Sequence, residues 1–220
     1  MLLFMPAVFA ADVHDVYAYP DYYRVHGVQS NDTLSVRRGP SSSSRKIGDL
    51  APDASPVEVV GIQGSWARIT TPVQLDTDDE FAEAWVSKRY LKKIRLPRLG
   101  DSNDAMAGAL PVGLECIGAW PGWNLEIKSS KRLVFGGDVA DIHGYAILES
   151  SPYSAQRPPV IKARSESGAL LTGIFRSVPG ACSVGMEGGN HTYSYQSDVI
   201  IVDGGKARTY HGCCLVPSTR

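Results

Sequence analysis

The side chains able to do covalent or metal chemistry are few: four cysteines and five histidines in 220 residues. Cys116, Cys182, Cys213 and Cys214 all lie in the second half. An even count in an exported chain reads as two disulfides, with three connectivities open. Cys213 and Cys214 are adjacent, and neighbouring side chains of a strand point to opposite faces. They should therefore not pair with each other; one goes to Cys182 and the other to Cys116. The rival reading is a metal site with His143, His191 or His211, but no C-x-x-C or H-x-x-x-H spacing supports it. No metal and no cofactor is expected.

Catalysis has weak support. Cys116 sits in Leu114-Glu115-Cys116-Ile117-Gly118, which has no nucleophile context, and His143 is the best base to set beside it. Such a thiol would have to stay reduced outside the cytoplasm, against the even cysteine count. No G-x-S-x-G occurs, and Gly180-Ala181-Cys182-Ser183-Val184-Gly185 only approximates one. Glu115, Glu126 and Asp138 could supply a carboxylate pair for glycan chemistry, although Glu126 on a strand is more simply a cross-strand partner for a Lys or Arg. Phosphate-cradling glycine motifs are missing. Thr71–Glu83 carries Asp76, Asp78, Asp79, Glu80 and Glu83. It lacks the glycine and the spaced ligands of a calcium loop, so a solvated acidic loop is expected. Work by surface contact is the remaining reading.

What must position such surfaces is an all-β chain. Gly 22 and Pro 14 break it often, which favours short strands joined by turns. Lys plus Arg total 22 against 23 acidic residues, so no global draw toward nucleic acid is expected. The longest apolar run, Leu2 to Ala11, is roughly half of the ~20 residues a membrane helix needs, so no integral membrane segment is expected. Residues 1–11 instead look like the apolar core of a secretory signal, with cleavage after Ala10, although the basic start of such a signal is lacking. The alternative is a buried first strand. Export predicts a periplasmic or secreted protein.

Pattern changes near residue 100. Residues 16–94 read as short alternating strands: Leu34-Ser35-Val36-Arg37, Val57-Glu58-Val59, Trp66-Ala67-Arg68-Ile69 and Ala84-Trp85-Val86. Residues 95–112, bracketed by prolines and rich in small residues, read as a linker. Residues 113–220 are again β, with Trp123-Asn124-Leu125-Glu126-Ile127, Leu133-Val134-Phe135, Tyr193-Ser194-Tyr195, Val199-Ile200-Ile201-Val202 and a hairpin at Asp203-Gly204-Gly205-Lys206. An antiparallel barrel or sandwich stapled by disulfides is the expected outcome.

Thr33 to Ser41 with its L-x-V-R-x-G-P-S segment, Lys46-Ile47-Gly48, Val57-Glu58-Val59, Gly64 to Ile69 and the closing Ala84-Trp85-Val86-Ser87-Lys88-Arg89-Tyr90-Leu91 resemble the bacterial SH3 domain, in order, over about 70 residues. The chain departs from that family in the long Thr71–Glu83 stretch and in Ala84, where a Gly is usual. The resemblance implies a small barrel that binds a cell-wall peptide or an envelope protein, or that serves as a spacer. The groove candidates are Tyr22, Tyr23, Arg37, Trp66, Trp85 and Tyr90. Trp66 and Trp85, in alternating strands, also read as core.

Trp120-Pro121-Gly122-Trp123-Asn124-Leu125-Glu126-Ile127, Cys182-Ser183-Val184-Gly185-Met186 and Gly212-Cys213 resemble a small domain of uncharacterised proteobacterial envelope proteins with P-x-W-x-L-E-I, C-S-D-G-M-S-D and G-C segments. That resemblance marks Trp123, Glu126, Cys182, Gly185, Met186 and Cys213. It implies a Cys182–Cys213 bridge and leaves Cys116–Cys214. Val184 stands where the family has its first Asp. The shape class is also similar to small periplasmic lysozyme inhibitors. The expected protein is thus two small antiparallel β-barrel domains in a non-catalytic envelope protein, the second domain a further binding module. The alternatives are a cell-wall hydrolase or a lysozyme-inhibitor-like protein.

Overall fold

The structure, a computed structural model, describes residues 20–70, 82–99, 109–119, 121–137, 140–151, 157–182, 184 and 193–218, with the backbone alone at 140–142 and 179–181. The signal-like segment, Asp76 to Glu80, Trp120, Asp138, Ser183, Gly185, Met186 and His191 lie outside the described residues.

The first half forms one seven-stranded antiparallel sheet. Its strands are β1 (Asp21–Val25), β2 (Leu34–Arg37), β3 (Lys46–Leu50), β4 (Val57–Gln63), β5 (Trp66–Ile69), β6 (Ala84–Ser87) and β7 (Leu91–Lys93), in the order β3-β2-β6-β5-β4-β1-β7. A single 3-10 turn, Lys88–Tyr90, joins β6 to β7. The period-2 pattern sets the faces. Leu34 and Val36 of β2, and Ala67 and Ile69 of β5, turn inward while their neighbours stay partly exposed. With Val25, Ile47, Leu50, Val57, Val59 and Val86 they make one apolar cluster.

The second half is a closed barrel of β8 (Glu115–Ala119), β9 (Gly122–Ser129), β10 (Arg132–Gly137), β11 (Ala140–Ser151), β12 (Val160–Ser165), β13 (Leu170–Cys182), β14 (Tyr193–Asp203) and β15 (Lys206–Leu215). Each strand pairs with its neighbours in the chain, and β15 closes the ring against β8. Of the barrel and the sandwich that the pattern allowed, closure selects the barrel, which leaves no open edge. Inward residues such as Leu125, Phe135, Ile161, Leu171, Tyr195 and Val199 fill it.

Both disulfides form, Cys116–Cys214 and Cys182–Cys213. Strand alternation separates the two neighbours as expected. Cys214 joins the barrel core, and Cys213 sits in a separate small cluster with Tyr193 and Leu215.

One core feature explains two glycines. The Trp123 indole stacks on Phe135 at 5.6 Å between ring centroids and donates from Nε1 to the His211 carbonyl at 2.9 Å. The ring lies across Gly118 and Gly212. A Cβ at Gly118 would come 1.9 Å from Trp123 Nε1, and one at Gly212 would come 2.1 Å from the Ile117 carbonyl oxygen. Gly212→Ala is expected to lower barrel stability by about 2 kcal/mol or more through this overpacking, read as a lower urea midpoint at unchanged slope.

The two halves are joined by more than the chain between them. The described ends of residues 95–112 pair with each other, Leu99 N–H to the Leu110 carbonyl at 2.9 Å and Val112 N–H to the Pro97 carbonyl at 2.8 Å. Leu99, Leu110 and Tyr22 of β1 are buried in the barrel's own cluster. They lie at the end where β14 begins and β15 finishes: the Tyr22 hydroxyl is 3.4 Å from that of Tyr195. The Glu58 carboxylate of β4 accepts from Val216 N–H at 2.9 Å, from the Ser194 hydroxyl, and from its own domain's Thr70 hydroxyl at 2.9 Å. The first domain and the linker ends thus plug one end of the barrel.

Candidate functional site

The first domain carries an open recess of about 640 Å³. Three parts of the sequence build it: the loop from Gly27 to Thr33 after β1, strand β2, and the 3-10 turn with the start of β5 opposite. Gly27, at φ 75°, turns the loop where its Cβ-free backbone passes the Tyr90 ring. His26 N–H bonds the Tyr90 carbonyl at 2.8 Å, which holds that turn against the loop.

Arg37, Trp66, Arg89 and Tyr90 supply the recess with its cations and aromatic surface. The Arg89 guanidinium lies 4.3 Å over the Tyr90 ring centroid, a cation–π contact, and also bonds the Tyr90 hydroxyl. The Arg37 guanidinium donates to the Ser44 carbonyl at 2.8 Å, so the serine turn fixes its direction. Asp32 is the lining carboxylate, and its Oδ1 accepts from Thr33 N–H at 2.7 Å. Thr33 in turn donates its hydroxyl to Asp49 at 2.6 Å. Partial burial pushes the Asp49 carboxyl up, but the hydrogen bonds from Lys46 and Thr33 outweigh it and hold it below its ordinary value. With two arginines against one carboxylate and two aromatic faces, the recess suits an extended peptide that carries its own carboxylates.

Of the six groove candidates, the structure brings together Arg37, Trp66 and Tyr90. Tyr22 faces the other way and plugs the barrel. Burial pushes its phenol well up, reinforced by Tyr195 and Glu58. Tyr23 packs against the first domain's core. Trp85 is buried, with Nε1 donating to Glu83 at 3.0 Å. Arg89 is a lining residue that sequence reasoning missed; its signal was its place beside Tyr90 in the closing W-V-S-x-x-Y-L segment.

In the second domain, Trp123 is a core residue of the barrel. Glu126 points outward and pairs with Lys128 of its own strand. The expectation of a basic cross-strand partner is corrected by the register, which sets Glu115 opposite Glu126. Partial burial and then the Glu126 charge push the Glu115 carboxyl up, with Lys128 opposing. The Cys116 sulfur is bonded to Cys214 and fully buried, so it offers no thiolate beside His143. His211 sits on the outer face with its Nδ1 2.6 Å from Asp198, which also pairs with Arg176. Among the described residues no group of three or more His, Cys, Asp or Glu is arranged to hold a metal.

A family model described as the bacterial SH3 domain matches residues 32–92, which covers β2 to β6, the start of β7 and most of the recess. No curated protein and no solved structure matches the chain. This match and the two disulfides are consistent with an extracytoplasmic protein. Among the described residues no helix is long and apolar enough to cross a membrane.

Proposed function

We propose, from the bacterial SH3 domain at residues 32–92, that this is a non-catalytic protein of the bacterial cell envelope, periplasmic or secreted, that holds a cell-wall peptide in the recess between Arg37 and Tyr90. The single observation that supports this most is the convergence of Arg37, Trp66, Arg89 and Tyr90 on one recess inside the matched region. Tyr90 and Trp66 give flat apolar contact at small entropic cost, and the two guanidinium groups meet peptide carboxylates. The barrel acts as a second binding module rigidly attached through Glu58 and Tyr22.

The test is retention on purified peptidoglycan. Wild type is retained, while Tyr90→Ala and Arg89→Gln each lower affinity about tenfold, as expected for loss of an aromatic or arginine anchor. Arg89 is exposed, so its variant reports on binding without a cost in folding. Failure of wild type to be retained would leave the spacer reading. Release of soluble fragments from peptidoglycan by the oxidised protein would favour a hydrolase.

A further inference from the structure

The charges that line the first domain's recess do not satisfy one another. Asp32, Arg37 and Arg89 all line it. Among the described residues none of the three has an ion-pair partner. Elsewhere on the same domain the exposed carboxylates of Asp21, Asp49 and Glu83 are paired, with Lys93, Lys46 and Arg68.

Strand β2 sets the length of the recess. Leu34 and Val36 turn into the core, so Ser35 and Arg37 stay on the recess side. Asp32 stands just before the strand and Arg37 ends it. At ~3.3 Å per residue the backbone carries these two up to roughly 16 Å apart. Each charge is also held in place. Asp32 Oδ1 accepts from Thr33 N–H at 2.7 Å, which leaves the other oxygen free among the described residues. Arg37 is tied by Nη1 to the Ser44 carbonyl, and Arg89 lies over the Tyr90 ring. The rest of the lining includes the partly exposed Trp66 and Tyr90 rings and the side chains of Ser35, Ser42 and Ser87. A ligand with carboxylates alone would set one of them near Asp32 or leave Asp32 unanswered. A purely cationic one would meet two guanidinium groups. A ligand that brings both signs answers all three.

Resting on the peptide reading above, we infer that the recess selects peptides with a free primary amine, the amine at Asp32 and the carboxylates at Arg37 and Arg89. In a cell-wall stem peptide that amine is the group acylated when two stems are cross-linked. The site therefore favours stems that are not joined.

The probes are N-acetyl-L-alanyl-γ-D-glutamyl-L-lysine and the same peptide acetylated on its lysine side chain. Both carry the same carboxylates, and only the first carries an amine, charged at pH 7 because its ordinary value is about 10.4. Titrated by calorimetry into the oxidised full chain, the free-amine peptide is expected to bind about fivefold more tightly, the scale of a single solvent-accessible ion pair. Asp32→Asn keeps an oxygen for Thr33 N–H and removes the charge. It should lower affinity for the free-amine peptide to that of the acetylated one, and leave the acetylated one unchanged. Arg89→Gln should weaken both peptides by a similar factor. Equal affinity of wild type for the two peptides, or an Asp32→Asn variant that still prefers the free amine, overturns the inference and leaves the peptide reading standing. Binding of neither peptide overturns the inference; if intact peptidoglycan also fails to retain the protein, the peptide reading falls with it.

Discussion

Removing the inner disulfide with Cys116→Ala and Cys214→Ala together is expected to lower barrel stability by about 4 kcal/mol, measured by urea denaturation of the oxidised protein. The two cysteines are 98 residues apart, and closing a loop of that size restricts the unfolded chain by roughly 4 to 5 kcal/mol in the chain-entropy account. The bridge joins β8 to β15, the pairing that closes the ring, and both residues are fully buried. The outer bridge, Cys182–Cys213, spans 31 residues and should cost about 1 kcal/mol less when removed. The order of the two double variants is the check; a larger loss from the outer pair would contradict it. A second consequence concerns register. A slip of β15 by one residue would exchange the faces of Cys213 and Cys214, and neither bridge could then form. Barrel closure and correct oxidation therefore depend on each other.

Glu58→Ala should destabilise the chain by at least about 3 kcal/mol, because it leaves the Val216 amide and the hydroxyls of Ser194 and Thr70 without their buried acceptor. A pH series with Glu58→Gln gives a sharper reading. Burial pushes the Glu58 carboxyl up, and it wins over the hydrogen bonds from Ser194, the Val216 amide, Thr70 and Tyr22 that favour the ionised form. A carboxyl whose folded value is raised binds its proton more tightly when folded than when unfolded. Its contribution is therefore largest below the unfolded value, about 4.3. It falls as pH rises through the raised folded value, then levels off. Wild-type stability relative to the Gln variant, which does not titrate, should decline over that window. A relative gain with rising pH would show the carboxylate to be the preferred folded form.

The strand pattern of the first domain was legible because its core depends on local alternation: Leu34 and Val36 alternate into the core, but on β5 it is Ala67 and Ile69 that face inward, while Trp66, which also read as core, lines the recess. The role of Glu58 was not. In Val57-Glu58-Val59 it occupies an outward position, which a single domain would leave in water, and a second domain covers that face. Tyr22 was read as a groove aromatic for the same reason, since its burial comes from partners such as Tyr195, 173 residues away. The choice between barrel and sandwich depends on the β8–β15 pairing, which no local signal encodes. Tyr193-Ser194-Tyr195 and Val199 to Val202 read as two strands and are one, β14, since Gln196 to Asp198 continue the ladder with β15. The opposite faces of Cys213 and Cys214 were legible, because that depends only on the pleat.

The plug has a consequence for how the two halves would act together. Tyr22 is a ladder residue of one sheet and the stopper of the other, so neither half can swing without unseating it. A ligand held in the first domain's recess would therefore carry the barrel with it as one rigid body.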